Sequence, residues 1–290
     1  MHQGIKTADG LFLSIVVPVH NCRELTEACF DSLLRTVDAT MEIVVVDDAS
    51  DRETSTYLEK LSPPFRVIRQ EVNEGYAKSV NRAAATVRAE RVLLLNNDTV
   101  LTPGWLEPMI ELLDLDERVG AVGNVQRNPR TGLVDHAGVF FDLEGMPTHA
   151  HKNRRNPPPG AFRERHAASA ACLLMRTEVF RRFSGFDEAY RNGMEDIDLC
   201  VRLCEAGYRI LVSHRSIILH HVSQSPGRHE HNAENSLLFA SRRAATAAAW
   251  GRREWPIEYL RRYARHWWRI NPRLLIRALG MIISNSLTSC

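Results

Sequence analysis

The 290-residue sequence lacks the marks of several large protein classes. None of its six cysteines, at positions 22, 29, 172, 200, 204 and 290, stands in CxxC spacing or in a zinc-finger arrangement with histidine. This argues against a disulfide-stapled or zinc-stapled scaffold and leads to an expectation of free thiols in a reducing compartment. No apolar run reaches the roughly 18 residues that a membrane-spanning helix needs. The opening MHQGIKTADG has no charged-then-apolar leader layout, so a cytoplasmic chain is expected. No GxGxxG follows any apolar run, which argues against a Rossmann dehydrogenase. PVHNCRE, after the first such run, lacks the glycines of a nucleotidyltransferase phosphate loop. A formal net charge of only +2 gives no sign of a polyanionic partner such as nucleic acid. Internal repeats are absent too.

What is present is a globular composition, 44% hydrophobic and 25% charged, on a length that suits one large α/β domain with a small appendage. Short apolar runs at 11–20, 41–50, 65–70 and 91–99 alternate with helix-patterned stretches at 22–37, 51–61, 75–89 and 104–116. Continuous apolar strands separated by helices predict a mostly parallel sheet covered on both faces. Ligands of such sheets bind beyond the carboxyl ends of the strands. Polar residues gather there: Pro18-Val19-His20-Asn21, Asp47-Asp48, Asn73 and Asn96-Asn97-Asp98.

The middle of the chain holds strand-like pieces and the exposed loop HKNRRNPPPG (151–160), whose three prolines fit neither helix interior nor central strand. A strand leading into a helix is expected over 167–183, a helix opening on three acids over 194–208, and one or two closing strands over 209–223. The composition shifts near 230, so a domain is expected over 1–228 and a helical appendage over 229–290.

Three acidic groups and a histidine pair bear chemistry. Asp98, at a strand end, can hold a hard cation against phosphate oxygens, but Asn and Asp are also ordinary turn residues. Asp47-Asp48 can meet the base and ribose of a nucleotide, or simply approach a helix capped at Ser50. Glu195-Asp196-Ile197-Asp198 can supply a base to deprotonate a hydroxyl, or can merely complement the helix dipole. His220, followed by His221, can complete a metal site with Asp98 or be structural.

Taken in order, IVVPVHN, VVVDDAS, NEGYAKSVN, LLLNNDT, SGFDE, MEDIDLCVRLCEAGY and ILHH resemble the motifs of family 2 glycosyltransferases over about residues 11–223. The resemblance implies the GT-A fold, a nucleotide-binding α/β domain with a mostly parallel mixed sheet. It implies an inverting transfer from a UDP- or dTDP-linked sugar to a hydroxyl of a glycan or lipid-linked glycan. In that match Pro18, His20, Asn21, Asp47 and Asp48 form the base and ribose pocket, and Asn73, Gly75, Lys78 and Asn81 lie along the nucleotide. SGFDE (184–188) shapes the sugar pocket. Asn96, Asn97 and Asp98 stand at the family's DxD, with Asn96 replacing the first acid. Asp98 and His220, or the adjacent His221, then hold Mn2+ or Mg2+. Asp196 is the base, and Glu195 orients sugar or acceptor. His136 and His149 are candidates for the acceptor side.

The loss of an acid at Asn96 would also suit a degenerate nucleotide-sugar-binding protein, against which the intact Glu195-Asp196 pair argues. A protein acceptor and the oligomeric state stay open. Residues 241–277 carry ten arginines (242, 243, 252, 253, 261, 262, 265, 269, 273 and 277) against Glu254 and Glu258, with Trp250, Trp255, Tyr259, Tyr263, Trp267 and Trp268 interleaved. Two readings stand. The helices lie on an anionic membrane surface as a peripheral contact, or they pack their aromatics on the domain with arginines in solvent.

Overall fold

The computed structural model describes residues 10–36, 38, 40–222, 230–264 and 267–287; Arg265 and Cys290 of the sequence argument lie outside them. Four parallel strands make one half of the main sheet: β1 (Leu13–Val19), β2 (Met41–Asp48), β3 (Phe65–Gln70) and β4 (Arg91–Leu95). Their side chains alternate between two apolar layers. Ile15 and Val17 pack with Phe30 and Leu33 of α1 (Arg23–Leu34), whereas Val16 and Leu94 pack with Val80 and Ala83 of α3 (Tyr76–Thr86). Strands buried on both faces need continuous apolar sequence, which is why these runs read as they do.

The connecting pieces are short: α2 (Arg52–Leu58), β5 (Thr99–Leu101) and α4 (Glu107–Leu113). The other half of the sheet contains β6 (Val119–Arg127), β10 (Phe162–Arg165), β11 (Cys172–Arg176) and β12 (Arg209–His220). The order is β10-β12-β6-β11-β4-β1-β2-β3, with β11 antiparallel to both β4 and β6. β5 adds to β12 and β7 (Val134–His136) adds to β6, while β8 (Val139–Phe141) and β9 (Pro147–His149) form a separate hairpin. The expected mostly parallel mixed sheet is therefore present. The one or two strands expected over 209–223 are a single strand with a bulge between Ser213 and Ile217. The cap of α2 is Asp51, which accepts from the Thr54 amide at 2.8 Å, and not Ser50. Ser50 Oγ instead accepts from the Asn21 amide.

From β1 the chain winds outward to β2 and β3, then returns to place β4 on the other side of β1. This reversal opens a crevice at the carboxyl ends of β1 and β4. Two helices close the chain's second half over the sheet, α5 (Thr177–Arg182) and α6 (Glu195–Glu205). Cys22, Cys29, Cys172, Cys200 and Cys204 are free thiols; burial pushes Cys29 and Cys200 up to about 12, so both act as packing groups.

The C-terminal segment is helical: α7 (Asn232–Tyr263) and α8 (Pro272–Leu287), joined through a 3₁₀ turn at Trp267–Arg269. Its packing divides it. Phe239 and Ala247 of α7 are fully buried in the same core cluster as Val16 and Leu199. Two glycines permit the close approach. A Cβ on Gly145 would stand 2.4 Å from the Ala244 carbonyl oxygen, and one on Gly251 2.0 Å from that of Asp142. Trp250 stacks on His166 with ring centres 4.3 Å apart. Further along, Trp267 and Trp268 are exposed. No helix among the described residues is long and apolar enough to cross a membrane.

Candidate active site

The crevice contains a cavity of about 340 Å³. Of the residues singled out in the sequence, Pro18, His20, Asp48, Asn73, Asn96, Asn97, Asp98, Glu195, Asp196 and His220 line it. Asn21, Asp47, Gly75, Lys78 and Asn81 do not.

Strand alternation separates the two adjacent aspartates. Asp47 turns to the far side, where it pairs with Arg69 and accepts from the Ser50 amide at 2.9 Å. Asp48 faces the cavity and binds the loop after β3. Its Oδ1 accepts from the Glu74 amide at 2.7 Å and its Oδ2 from the Gly75 amide at 2.9 Å. Gly75 has φ +88°, a conformation that suits glycine. Asp48 thus fixes the loop carrying Asn73. His20 Nδ1 donates to the Asp48 carbonyl at 2.7 Å, and Asn21 joins the two strand ends by accepting from the Asp51 amide at 2.7 Å.

Asn81 sits behind the cavity. Its Nδ2 donates to the Phe186 carbonyl and its Oδ1 accepts from the Phe186 amide, both at 2.9 Å. SGFDE is therefore held against α3, and a Cβ at Gly185 would come within 2.3 Å of Asn81 Oδ1. Lys78 is exposed on the same helix.

Asp98 and His220 meet at the other wall. His220 Nε2 stands 3.1 Å from Asp98 Oδ1, while its Nδ1 is 3.0 Å from Gln126 Oε1. An amide oxygen only accepts, so Nδ1 carries a proton, and a ring with no second proton turns an Nε2 lone pair toward the carboxylate. Asp98 Oδ1 is accordingly buried without a hydrogen-bond donor among the described residues, as is Asn96 Oδ1 without a partner. Burial raises the Asp98 carboxyl, but the hydrogen bond and charge of His220 when its ring is protonated outweigh that and hold the group below its ordinary value. Two facing lone pairs, with the second ring nitrogen anchored by Gln126, fit a cation. No group of three His, Cys, Asp or Glu side chains among the described residues could hold a metal ion. Asp98 and His220 would thus supply only part of a coordination shell, the regime in which Mg2+-like ions lean on substrate phosphates. Of the histidine pair, His220 lines the cavity; the His221 amide donates to the Asp98 carbonyl at 2.9 Å.

The three acids of α6 part company. Glu195 Oε2 accepts from the Gly193 amide at 2.6 Å and stabilises the turn in which Met194 has φ +74°. Asp196 Oδ2 accepts from the Ala170 amide at 2.9 Å and Oδ1 from the Ile197 amide at 2.8 Å. Each oxygen keeps a second lone pair, so the carboxylate can still accept a proton from the cavity. Asp198 is fully buried and pairs with Arg202 and Arg243, each at 2.8 Å, which ties α6 to α7.

Residues that sequence reasoning missed also line it: Tyr76, Ser169-Ala170-Ala171, Asn192, Val222, and Glu230-His231 before α7. Tyr76 donates through its amide to Asn192 Oδ1 at 3.1 Å and through its hydroxyl to the Ala170 carbonyl at 3.3 Å. Only Asn192 carried a signal, since Asn-Gly before a helix marks a turn. His136 and His149 lie behind this wall. His136 Nε2 accepts from the Ser169 amide, so its Nδ1 carries the proton toward His149 Nδ1, 2.9 Å away. Burial, first of all, lowers both imidazoles, His136 well below the ordinary value.

Comparison with known proteins agrees with this geometry. The model of glycosyl transferase family 2 matches residues 14–183, and the chain belongs to that family. Among its relatives, the O-antigen biosynthesis protein RfbC of Myxococcus xanthus is 32% identical, over 73% of this chain and 17% of its own length. The N-acetylglucosaminyl-diphospho-decaprenol L-rhamnosyltransferase of Mycobacterium tuberculosis is 26% identical, over 74% of this chain and 78% of its own. The mannosyltransferase PcManGT of Pyrobaculum calidifontis, solved with GDP-Man and Mn2+, superimposes with a TM-score of 0.60 at 18% identity, over 95% of this chain and 75% of that one. Such a likeness carries the GT-A-like fold. The chain spans about a quarter or less of the length of the two relatives at 32% identity.

Proposed function

We propose that this chain transfers a sugar, with inversion, from a nucleoside-diphosphate sugar (UDP- or dTDP-linked) to a hydroxyl of a glycan or lipid-linked glycan. One observation carries the reading: Asp196 and the Asp98–His220 pair face a single cavity, beside the loop that Asp48 holds. Pro18, His20, Asp48 and Asn73 bind the nucleoside half of the donor, and Asn96 Oδ1 offers it an unused acceptor. Asp98 and His220 would hold a divalent cation, Mn2+ or Mg2+, whose charge neutralises the leaving diphosphate.

Asp196 takes the proton of the acceptor hydroxyl. The freed oxygen bonds to the anomeric carbon on the face opposite the nucleotide, and the bond from that carbon to the diphosphate oxygen breaks. The products are the glycoside with inverted configuration, the nucleoside diphosphate and one proton. Glu195 keeps the turn before Asp196 in place and is near enough to orient sugar or acceptor. A lipid-linked acceptor, as the name of the Mycobacterium relative implies for that enzyme, suits a protein working at a membrane surface.

A thermal-shift panel of nucleotide sugars, with and without manganese, tests the reading, because a ligand that binds only the folded state raises the melting temperature. The expected result is a shift with UDP- or dTDP-sugars that grows with manganese. No shift with any nucleotide sugar would overturn it.

A further inference from the structure

We infer that the outer face of α8, with the 3₁₀ turn before it, is a docking surface for an anionic lipid bilayer. Ile276, Leu279 and Ile283 are spaced three, four and seven residues apart, so they share one face of the helix. They are 72%, 46% and 63% exposed, and Trp267 and Trp268 just before them are 73% and 62% exposed. The opposite face, carrying the buried Ala278, packs on the domain through α7. The apolar stripe is thus surplus to the core.

Charge names the occupant. From residue 259 to the end, the sequence contains six arginines and no Asp or Glu. Of these, Arg269, Arg273 and Arg277 lie exposed on the turn and on α8. The only acids of the preceding stretch turn inward: Glu258 pairs with Arg165, Arg163 and Arg261, and Glu254 with His166. Arg242 and Arg243 are likewise occupied, by Asp187 and Asp198. The structure therefore divides the basic segment into an inward half that fixes α7 and an outward half of single sign. Exposed tryptophan and isoleucine rimmed by arginine is the pattern of a helix lying in a lipid headgroup layer.

The surface is joined to the layer behind the cavity wall. Arg154 donates to the carbonyls of Arg261 and Arg262 at 2.9 and 3.1 Å, and its own carbonyl accepts from Val134, two residues from His136. This inference deepens the lipid-linked acceptor reading, but its test involves no acceptor. Vesicle binding can fail while transfer to a soluble acceptor stands, and the reverse.

The full chain is mixed with vesicles of phosphatidylcholine alone, or of phosphatidylcholine with phosphatidylglycerol, and sedimented. Binding is expected to the mixed vesicles only, weakened by salt, with a blue shift of tryptophan emission. The triple variant Ile276→Ser, Leu279→Ser, Ile283→Ser should lose binding at least about tenfold, since each removes buried apolar area. Arg269→Gln, Arg273→Gln, Arg277→Gln should lose it about a hundredfold. Both variants change exposed positions and should keep the melting temperature. Failure of the full chain to bind mixed vesicles overturns the inference, as does equal binding by the variants. A dimer in analytical ultracentrifugation that the isoleucine and leucine substitutions abolish would assign the face to a second copy instead.

Discussion

The main-chain N–H of Ala170 donates to Asp196 Oδ2 at 2.9 Å. This bond joins the segment before β11 to the first turn of α6 and aims one carboxylate at the cavity. The Tyr76 hydroxyl, bound to the carbonyl of the same alanine, brings α3 into the arrangement. Three elements distant in sequence thus converge on one residue without a distinctive side chain.

Asp196→Asn keeps size and can keep the Ala170 bond, but cannot take a proton at neutral pH. Transfer, measured as nucleoside diphosphate released, should fall by about 10²–10⁴-fold. The thermal shift given by the donor should be retained. Near-normal turnover would remove Asp196 from the role of base.

Gln126 fixes the tautomer and orientation of His220 from behind. Gln126→Leu should weaken manganese binding by about 10–100-fold while leaving the cavity's other walls in place. A manganese titration of the melting temperature, with a nucleoside diphosphate present, reads the effect directly. An unchanged titration would mean that His220 takes no part in holding a metal.

Arg243→Met removes one of the two guanidinium partners of the fully buried Asp198. Breaking a buried pair from one side is costly because the other charge stays behind. The loss should be about 3 kcal/mol, at the lower end of such effects because Arg202 remains. Chemical denaturation measures it. The double change Asp198→Leu with Arg243→Met should recover part of the loss.

The His136–His149 pair makes stability depend on pH. Burial holds both rings below their ordinary value of 6.5, so the unfolded chain binds more protons than the folded one once pH falls past that point. The stabilisation is whole above about 6.5 and is lost as pH falls toward the folded values. The slope is up to about 1.4 kcal/mol per pH unit for each ring. Melting curves from neutral pH downward should steepen accordingly, and His136→Gln with His149→Gln should flatten them.

The strands were legible because burial on both faces demands unbroken apolar runs, and the crevice because polar residues follow β1 and β4. Asp98, Asp196 and His220 were legible as chemistry-bearing types at strand and helix ends. The separation of Asp47 from Asp48 was also within reach, since adjacent strand residues point to opposite faces. Ala170, Ser169 and Tyr76 were not legible. They act largely through main-chain groups or a hydroxyl whose partner is remote in sequence, and residue type reports neither. Gln126 was hidden likewise, inside an apolar strand whose neighbour β12 arrives about 90 residues later. The division of the arginines depended on which way a helix is rotated, and that is set by Gly145 and Gly251.

The length of α7 has a mechanical meaning. Its 32 residues, with Pro256 among them, trace about 48 Å at roughly 1.5 Å per residue. One end begins at Glu230 and His231 on the rim of the cavity, and the other leads to the exposed tryptophans. Phe239, Ala247 and Gly251 lock the helix's rotation against the domain. The tryptophan end is therefore tied to the domain that holds the cavity by packing along the helix, with Glu254 on His166 and Glu258 on Arg165 to either side of Pro256, rather than by a tether. A single residue inserted after Gly251 would lengthen the helix by about 1.5 Å yet turn everything beyond it through roughly 100°. Such an insertion would part Glu254 from His166 and Glu258 from Arg165 as it redirected the tryptophans.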